Sequence, residues 1–171
     1  FMRRAVEADQ SNSYWYRAGE GEILSQMRRY PEAVVCYKDL ADRFPTKSEP
    51  LYSLAELYLR LDSGQQCLDI LERIEDLDGV NPQVTLQKFY IMQGLGRSDD
   101  AFAEYDKLIA RYPYDLSFRI QKGDLQMKNG QIDKAKQTYD EAAKIDPDNA
   151  YVWVALSNYY SIVGDQKEAD C

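Results

Sequence analysis

Acid–base and metal chemistry near neutral pH leans on histidine, and this chain of 171 residues has none. Serine, threonine and cysteine nucleophiles therefore lack their usual activating base, and only lysine-activated chemistry stays open. Three cysteines, Cys36, Cys67 and Cys171, are odd in number and form no C-x-x-C pair, so neither a disulfide framework nor a zinc cluster is implied. They read as helix-packing thiols. Glu20 and Glu22 lie two residues apart, which on a helix turns them to different faces and rules out a working carboxylate pair. Asp76-Leu77-Asp78-Gly79 hints at a calcium loop, but the ligand ladder and its closing glutamate are missing, and a loop between helices explains it better. Gly19-Glu20-Gly21 lacks the strand, the third glycine and the basic partner of a phosphate-binding turn. The expectation is a non-enzyme with no catalytic residue, metal or cofactor.

Composition narrows the partners. Hydrophobic residues make up 44% of the chain and aromatics 12%, with 14 tyrosines, so the chain buries a core and is not disordered. A formal net charge of −8 repels phosphate backbones, which argues against nucleic acid. No run approaches the length of a membrane span and no basic amphipathic segment replaces one, so the piece reads as soluble. Both ends read as cut from a longer protein, leaving the compartment, cytoplasmic or exported, undetermined.

The elements that must position any site are written in an internal period. A small residue is followed four positions later by a large apolar one in Ala33 with Tyr37, Cys67 with Leu71, Ala101 with Tyr105 and Ala135 with Tyr139, and Ala169 opens a fifth pair. The small members step by 34 throughout. Three residues after each large one come Leu40, Ile74, Leu108 and Ala142, which completes an i, i+4, i+7 stripe, the buried face of a helix. Pro45, Gly79, Pro113 and Pro147 close that helix. Gly96, Gly130 and Gly164 fall where a left-handed cap ends the preceding helix, and Arg28 and Asp62 hold that place in the first two units. Pro82 and the Asp148-Asn149 pair suit helix starts.

This predicts antiparallel helix pairs at 14–27 with 31–43, 48–61 with 64–77, 82–94 with 98–111, and 116–129 with 132–145; helix 150–163 begins a fifth pair. Residues 1–9 read as the last helix of an earlier unit, leaving through Asp9-Gln10-Ser11-Asn12. The repeats are then 14–47, 48–81, 82–115 and 116–149, with 1–13 and 150–171 as partial units, in a single domain over 1–171. No strand pattern competes.

The phase and the residue types resemble the tetratricopeptide repeat family over essentially the whole chain. Trp153, Leu156, Tyr160, Gly164 and Ala169 stand at that family's spacing, as do Gly123, Gly130, Ala135, Tyr139, Ala142 and Pro147. There are departures. A position that is often Trp in the family is Arg17, Leu51, Thr85 and Arg119 before Trp153, and one that is usually Leu is Glu20, Lys88 and Lys122. The first helices there are expected to bury a neighbouring stripe instead: Tyr16 with Ile23, Val84 with Ile91, and Phe118 with Leu125. Phe89 stands where Gly21 and Gly123 admit a close helix, so the third hairpin is expected to pack more openly.

The resemblance implies an all-α fold, a right-handed superhelix or solenoid of helical hairpins with a concave groove lined by the first helix of each pair. Carried over residue by residue, that groove takes Trp15, Glu22 and Gln26, then Tyr52, Glu56 and Arg60, then Gln83, Tyr90 and Gln93, then Asp124, Met127 and Lys128, and last Tyr151, Asn158 and Ser161. Aromatics alternate there with carboxylates and amides, a mixture suited to an extended or helical peptide. Chaperone-binding members of the family grip a terminal carboxylate with a clamp of Lys, Asn and Arg; the matching residues here are Ala18, Glu22, Ser53, Gln83 and Gln87, or, shifted by one unit, Tyr52, Glu56, Gln87, Ser117 and Gln121. Neither set is a clamp. With Glu22, Glu56 and Asp124 in the groove, the implied partner is a protein or peptide with a neutral or basic segment, not an acidic chaperone tail. The alternative is an architectural or self-assembling spacer of a larger bacterial protein, stacking copies into homo-oligomers through its terminal repeats.

Overall fold

Each small-then-large apolar stripe of the sequence is helical and faces inward. A computed structural model of the chain describes residues 2–169, with side chains from 13 to 164. Among the described residues the regular elements are nine helices: α1 (Met2–Gln26), α2 (Tyr30–Arg43), α3 (Glu49–Arg60), α4 (Gly64–Asp78), α5 (Pro82–Gly94), α6 (Ser98–Arg111), α7 (Leu116–Lys128), α8 (Ile132–Ile145) and α9 (Ala150–Ala169). Ala33, Cys67, Ala101 and Ala135 are all 0% exposed, and Tyr37, Leu71, Tyr105, Tyr139 and the four residues that follow them in the stripe are buried too.

The helix ends obey the same phase. Arg28, Asp62, Gly96 and Gly130 have φ of 58°, 53°, 74° and 73°. The next residue's N–H reaches back to a carbonyl one turn inside the helix: Arg29 to Leu24 at 2.8 Å, Ser63 to Tyr58 at 2.9 Å, Arg97 to Met92 at 2.8 Å and Gln131 to Gln126 at 2.9 Å. These are Schellman closures. Asn81 caps the start of α5 by accepting from Val84 N at 3.0 Å, and Asp115 caps α7 from Ser117 N at 3.0 Å, whereas Ser48 and Ser63 make no such bond.

The chain divides into two compact units, Phe1–Ala101 and Phe102–Cys171. In the first, α1 packs on α2, α2 on α3, α3 on α4 and α4 on α5. Its core runs from Tyr14 through Tyr37, Leu54 and Leu71 to Val84. In the second, α7, α8 and α9 pack pairwise around Leu116, Tyr139, Val152, Leu156 and Tyr159.

Four expectations are corrected. There is no helix end at Asp9–Asn12: α1 runs unbroken from Met2 to Gln26. That segment holds no Pro or Gly, and Asp, Ser and Asn each cost a helix only about 0.7 kcal/mol. Helix α9 likewise runs through Gly164 to Ala169, because glycine permits a left-handed turn without imposing one and the Gln-Lys-Glu-Ala that follows favours helix. Phe1, Asp170 and Cys171 lie outside the described residues.

Thirdly, Tyr16 and Ile23 are 86% and 59% exposed rather than buried. Val84, Phe118 and Leu125 are buried as expected, with Ile91 partly so. At the other end Trp153 and Tyr160 are 56% exposed, because α9 meets α8 through Val152, Ala155, Leu156 and Tyr159. Fourthly, Lys88 does not turn away from the core. It is 0% exposed, and its Nζ lies 2.9 Å from Glu75 Oε2 of α4, which neutralises the charge that burial penalises.

Candidate functional site

In the first unit α1 and α3 stand side by side, with Tyr37 of α2 beneath them. Gly21 makes this possible: a Cβ there would lie 2.9 Å from the Tyr37 ring. The ring therefore slides under α1 with its hydroxyl in the groove above. Burial pushes the Tyr37 hydroxyl pKa up, a hydrogen bond with Ser53 lowers it in part, and the carboxylates of Glu22 and Glu56 raise it further.

Two clefts meet at this floor. One, of about 340 Å³, reaches from Glu22 and Gln26 to Tyr30, Glu56 and Arg60. The other, of about 360 Å³, reaches from Glu22 to Trp15, Glu49 and Pro50. Both are lined by Glu22, Tyr37 and Ser53, so they form one groove along α1 and α3. Trp15 is 69% exposed at one end, its ring edge-on to Tyr14 at 5.3 Å. At the other end Arg60 is paired with Glu56 at 2.6 Å and lies over the Tyr30 ring at 5.8 Å. Between them Gln26 donates to Glu22 at 3.0 Å. The charged lining is Glu22, Glu49 and Glu56 against Arg28 and Arg60, an excess of one carboxylate.

Five of the residues singled out from the sequence, Trp15, Glu22, Gln26, Glu56 and Arg60, thus line one groove. Tyr52 lines neither cleft: it is half-buried, and its hydroxyl donates to Asp78 at the end of α4, 3.2 Å away. Gln83 and Tyr90 are exposed on α5, and Gln93 is held by Ser98 at 3.1 Å. In the second unit Asp124 accepts the Tyr139 hydroxyl at 2.6 Å, a bond that ties α7 to α8. Met127 packs partly buried against the core, while Lys128, Asn158 and Ser161 are exposed. Tyr151 lines a separate cleft of that unit.

Sequence reasoning missed Tyr30, Ser53, Glu49 and Pro50 as groove residues, and assigned Tyr37 to the core alone. The signal for Tyr37 was its type, since a buried tyrosine brings a polar tip that must emerge somewhere. Among the described residues no group of three or more Cys, Asp or Glu side chains is placed to hold a metal ion. No helix among them is long and apolar enough to cross a membrane.

Among the described residues the chain is a run of helical hairpins, with an open polar groove in its first unit. Residues 93–159 match the family model described as the tetratricopeptide repeat. Comparison with curated proteins finds no match. Among solved structures the chain is similar to MamA from Desulfovibrio magneticus RS-1, at 16% identity over 92% of this chain and 89% of that one, with a TM-score of 0.59. Another MamA crystal structure gives 20% identity over 87% and 81% of the two chains at 0.59. YrrB, described as a tetratricopeptide protein with an unusual peptide-binding site, gives 15% identity over 96% and 86% at 0.58. Residues 93–159 thus resemble tetratricopeptide sequence, and the chain has the tetratricopeptide fold.

Proposed function

We propose that this chain is a non-catalytic scaffold that binds an extended peptide segment of neutral or basic character in the groove between α1 and α3. One observation carries the reading: two clefts merge over Glu22, Tyr37 and Ser53 into a groove with an exposed tryptophan at one end and carboxylates in excess along it. Trp15 offers a stacking face, Glu22 and Glu49 offer acceptors for a cation, and Ser53 and Gln26 offer hydrogen bonds to a peptide backbone. The likeness to YrrB lends support, since that protein shares the fold and has a peptide-binding site. Panning a random peptide display library against the whole chain tests the proposal. Sequences free of Asp and Glu should be enriched, and their binding should be lost in Glu22→Lys and Trp15→Ala, both surface changes. Ligands that bind these variants unchanged refute the groove assignment.

A second reading, the self-assembling spacer, is favoured by a different observation. Tyr16 and Ile23 of α1, with Met27 just past its end, form an exposed apolar stripe that lines a shallow cleft of about 530 Å³. Stacking of copies through this stripe gives a mass that rises with concentration in light scattering and stays monomeric in Ile23→Asp. A mass independent of concentration removes this reading.

A further inference from the structure

We infer that the second unit carries a recognition site of its own, at the N-terminal ends of α7 and α9, that takes one large aliphatic side chain from a peptide with basic residues on either side of it. It is independent of the groove in the first unit, and neither assignment needs the other.

The cleft measures about 770 Å³. Tyr114, Leu116 and Ile120 line it from the start of α7, and Ile145 and Tyr151 from the α8 to α9 connection. Leu116 is 7% exposed and belongs to the core, so the cleft has an apolar floor anchored in the unit. Tyr114 and Tyr151 are 87% and 78% exposed, and Ile145 42%. Their exposed apolar surface regains free energy at about 25 cal/mol per Å² when a ligand covers it.

Charge selects the ligand. Asp115 and Asp146 line the cleft, and no lysine or arginine does. Two helix N-termini would ordinarily invite an anion, but side-chain oxygens of the chain itself already take some of their N–H groups. Asp115 accepts from Ser117 N at 3.0 Å, and Asn149 accepts from Tyr151 N at 3.1 Å and Val152 N at 3.4 Å. Asp146 is fixed in turn by Asp148 N at 3.3 Å and the Asn149 amide at 3.1 Å. Both carboxylates are thus held in place with lone pairs to spare for an ammonium or guanidinium. Gln121 accepts the Tyr105 hydroxyl at 3.1 Å through its oxygen, which leaves its NH₂ to donate to a peptide carbonyl. An apolar floor with two fixed carboxylates in its lining matches a basic–aliphatic–basic tripeptide. It repels phosphates, nucleotides and acidic segments.

The test is a titration of the ¹⁵N-labelled whole chain with three capped pentapeptides: Gly-Lys-Leu-Lys-Gly, Gly-Lys-Ser-Lys-Gly and Gly-Glu-Leu-Glu-Gly. One buried aliphatic side chain with two exposed ion pairs supplies roughly millimolar binding. The first peptide should shift the amides of Ser117, Gln121, Ile145 and Tyr151 saturably, and the other two should bind at least about tenfold more weakly. Tyr151→Ala and Ile145→Ser alter exposed side chains, so the circular dichroism should stay unchanged while the affinity drops by a similar factor. Equal binding of the serine peptide, equal binding of the acidic peptide, or no saturable shift at these amides overturns the site. The amides of Glu22, Ser53 and Arg60 report the other groove separately in the same spectra.

Discussion

Gly123 of α7 lies flat against Tyr139 of α8: a Cβ on the glycine would fall 2.3 Å from ring carbon Cε1. Fully buried, the ring cannot swing away, because its hydroxyl is also held by Asp124 at 2.6 Å. Gly123→Ala should therefore force the two helices apart and lower stability by about 3 kcal/mol, as overpacking does. Gly19→Ala is the control. Gly19 is a helix-interior glycine with nothing within 4 Å of its missing Cβ, so the same change should raise stability by about 1 kcal/mol through helix propensity. Urea unfolding of the two variants decides it; equal effects would show that the close approach is not what holds α7 to α8.

Asp62 sits at a left-handed helix cap with φ of 53°, a conformation that two of its counterparts, Gly96 and Gly130, reach without strain. A side chain in that region costs about 1–2 kcal/mol, part of which glycine gives back by widening the unfolded ensemble. Asp62→Gly should thus stabilise by about 1 kcal/mol, and Arg28→Gly, at φ of 58°, by a similar amount. A lower midpoint in thermal unfolding for both variants would contradict this account of the cap.

The burial of Lys88 leans on the carboxylate of Glu75. Its Nζ to Glu75 distance is 2.9 Å and its side chain has no solvent exposure. Lys88→Ala takes the cation from an inward-facing carboxylate and should lower stability by about 3 kcal/mol. Lys88→Met together with Glu75→Gln fills the space and removes both charges, and should recover most of that loss. A double variant as unstable as the single one would mean that packing, not charge, sets the cost.

These residues also mark how far the sequence could be read. A helix stripe repeats because each hairpin solves the same packing problem, so the interior helices and even the non-glycine caps at Arg28 and Asp62 followed from phase alone. The two ends did not, because whether the chain turns at Asp9–Asn12 or at Gly164 depends on whether a folded-back helix finds a surface, and local propensity at both places allows continuation. Lys88 was misjudged because the residue that makes its burial affordable, Glu75, lies on another helix. In the groove, positions on α1 and α3 such as Trp15, Glu22 and Arg60 were legible from helical spacing. Its floor was not, since Tyr37 contributes only its hydroxyl and Ser53 is an ordinary surface residue until two helices flank it.

Cys67 gives the second repeat a pH dependence. Its thiol is buried, donates to the Ala55 carbonyl at 3.4 Å and is pushed up to about 11 by burial. In the unfolded chain the thiol titrates near 9.0, so it ionises there first and the folded form loses ground. The contribution is complete below about pH 9 and is lost as the pH rises through about 11, about 3 kcal/mol in full. Tyr37 and Tyr139, both raised by burial, add their own alkaline loss above the ordinary tyrosine range, so the wild-type slope alone does not isolate the thiol. Cys67→Ala does. Its stability deficit relative to the wild type, measured in urea at about pH 8 and again at about pH 10.5, should shrink by about 2 kcal/mol at the higher pH. A deficit that stays constant across that interval would mean that the thiol ionises no more readily in the unfolded chain than in its site between α3 and α4.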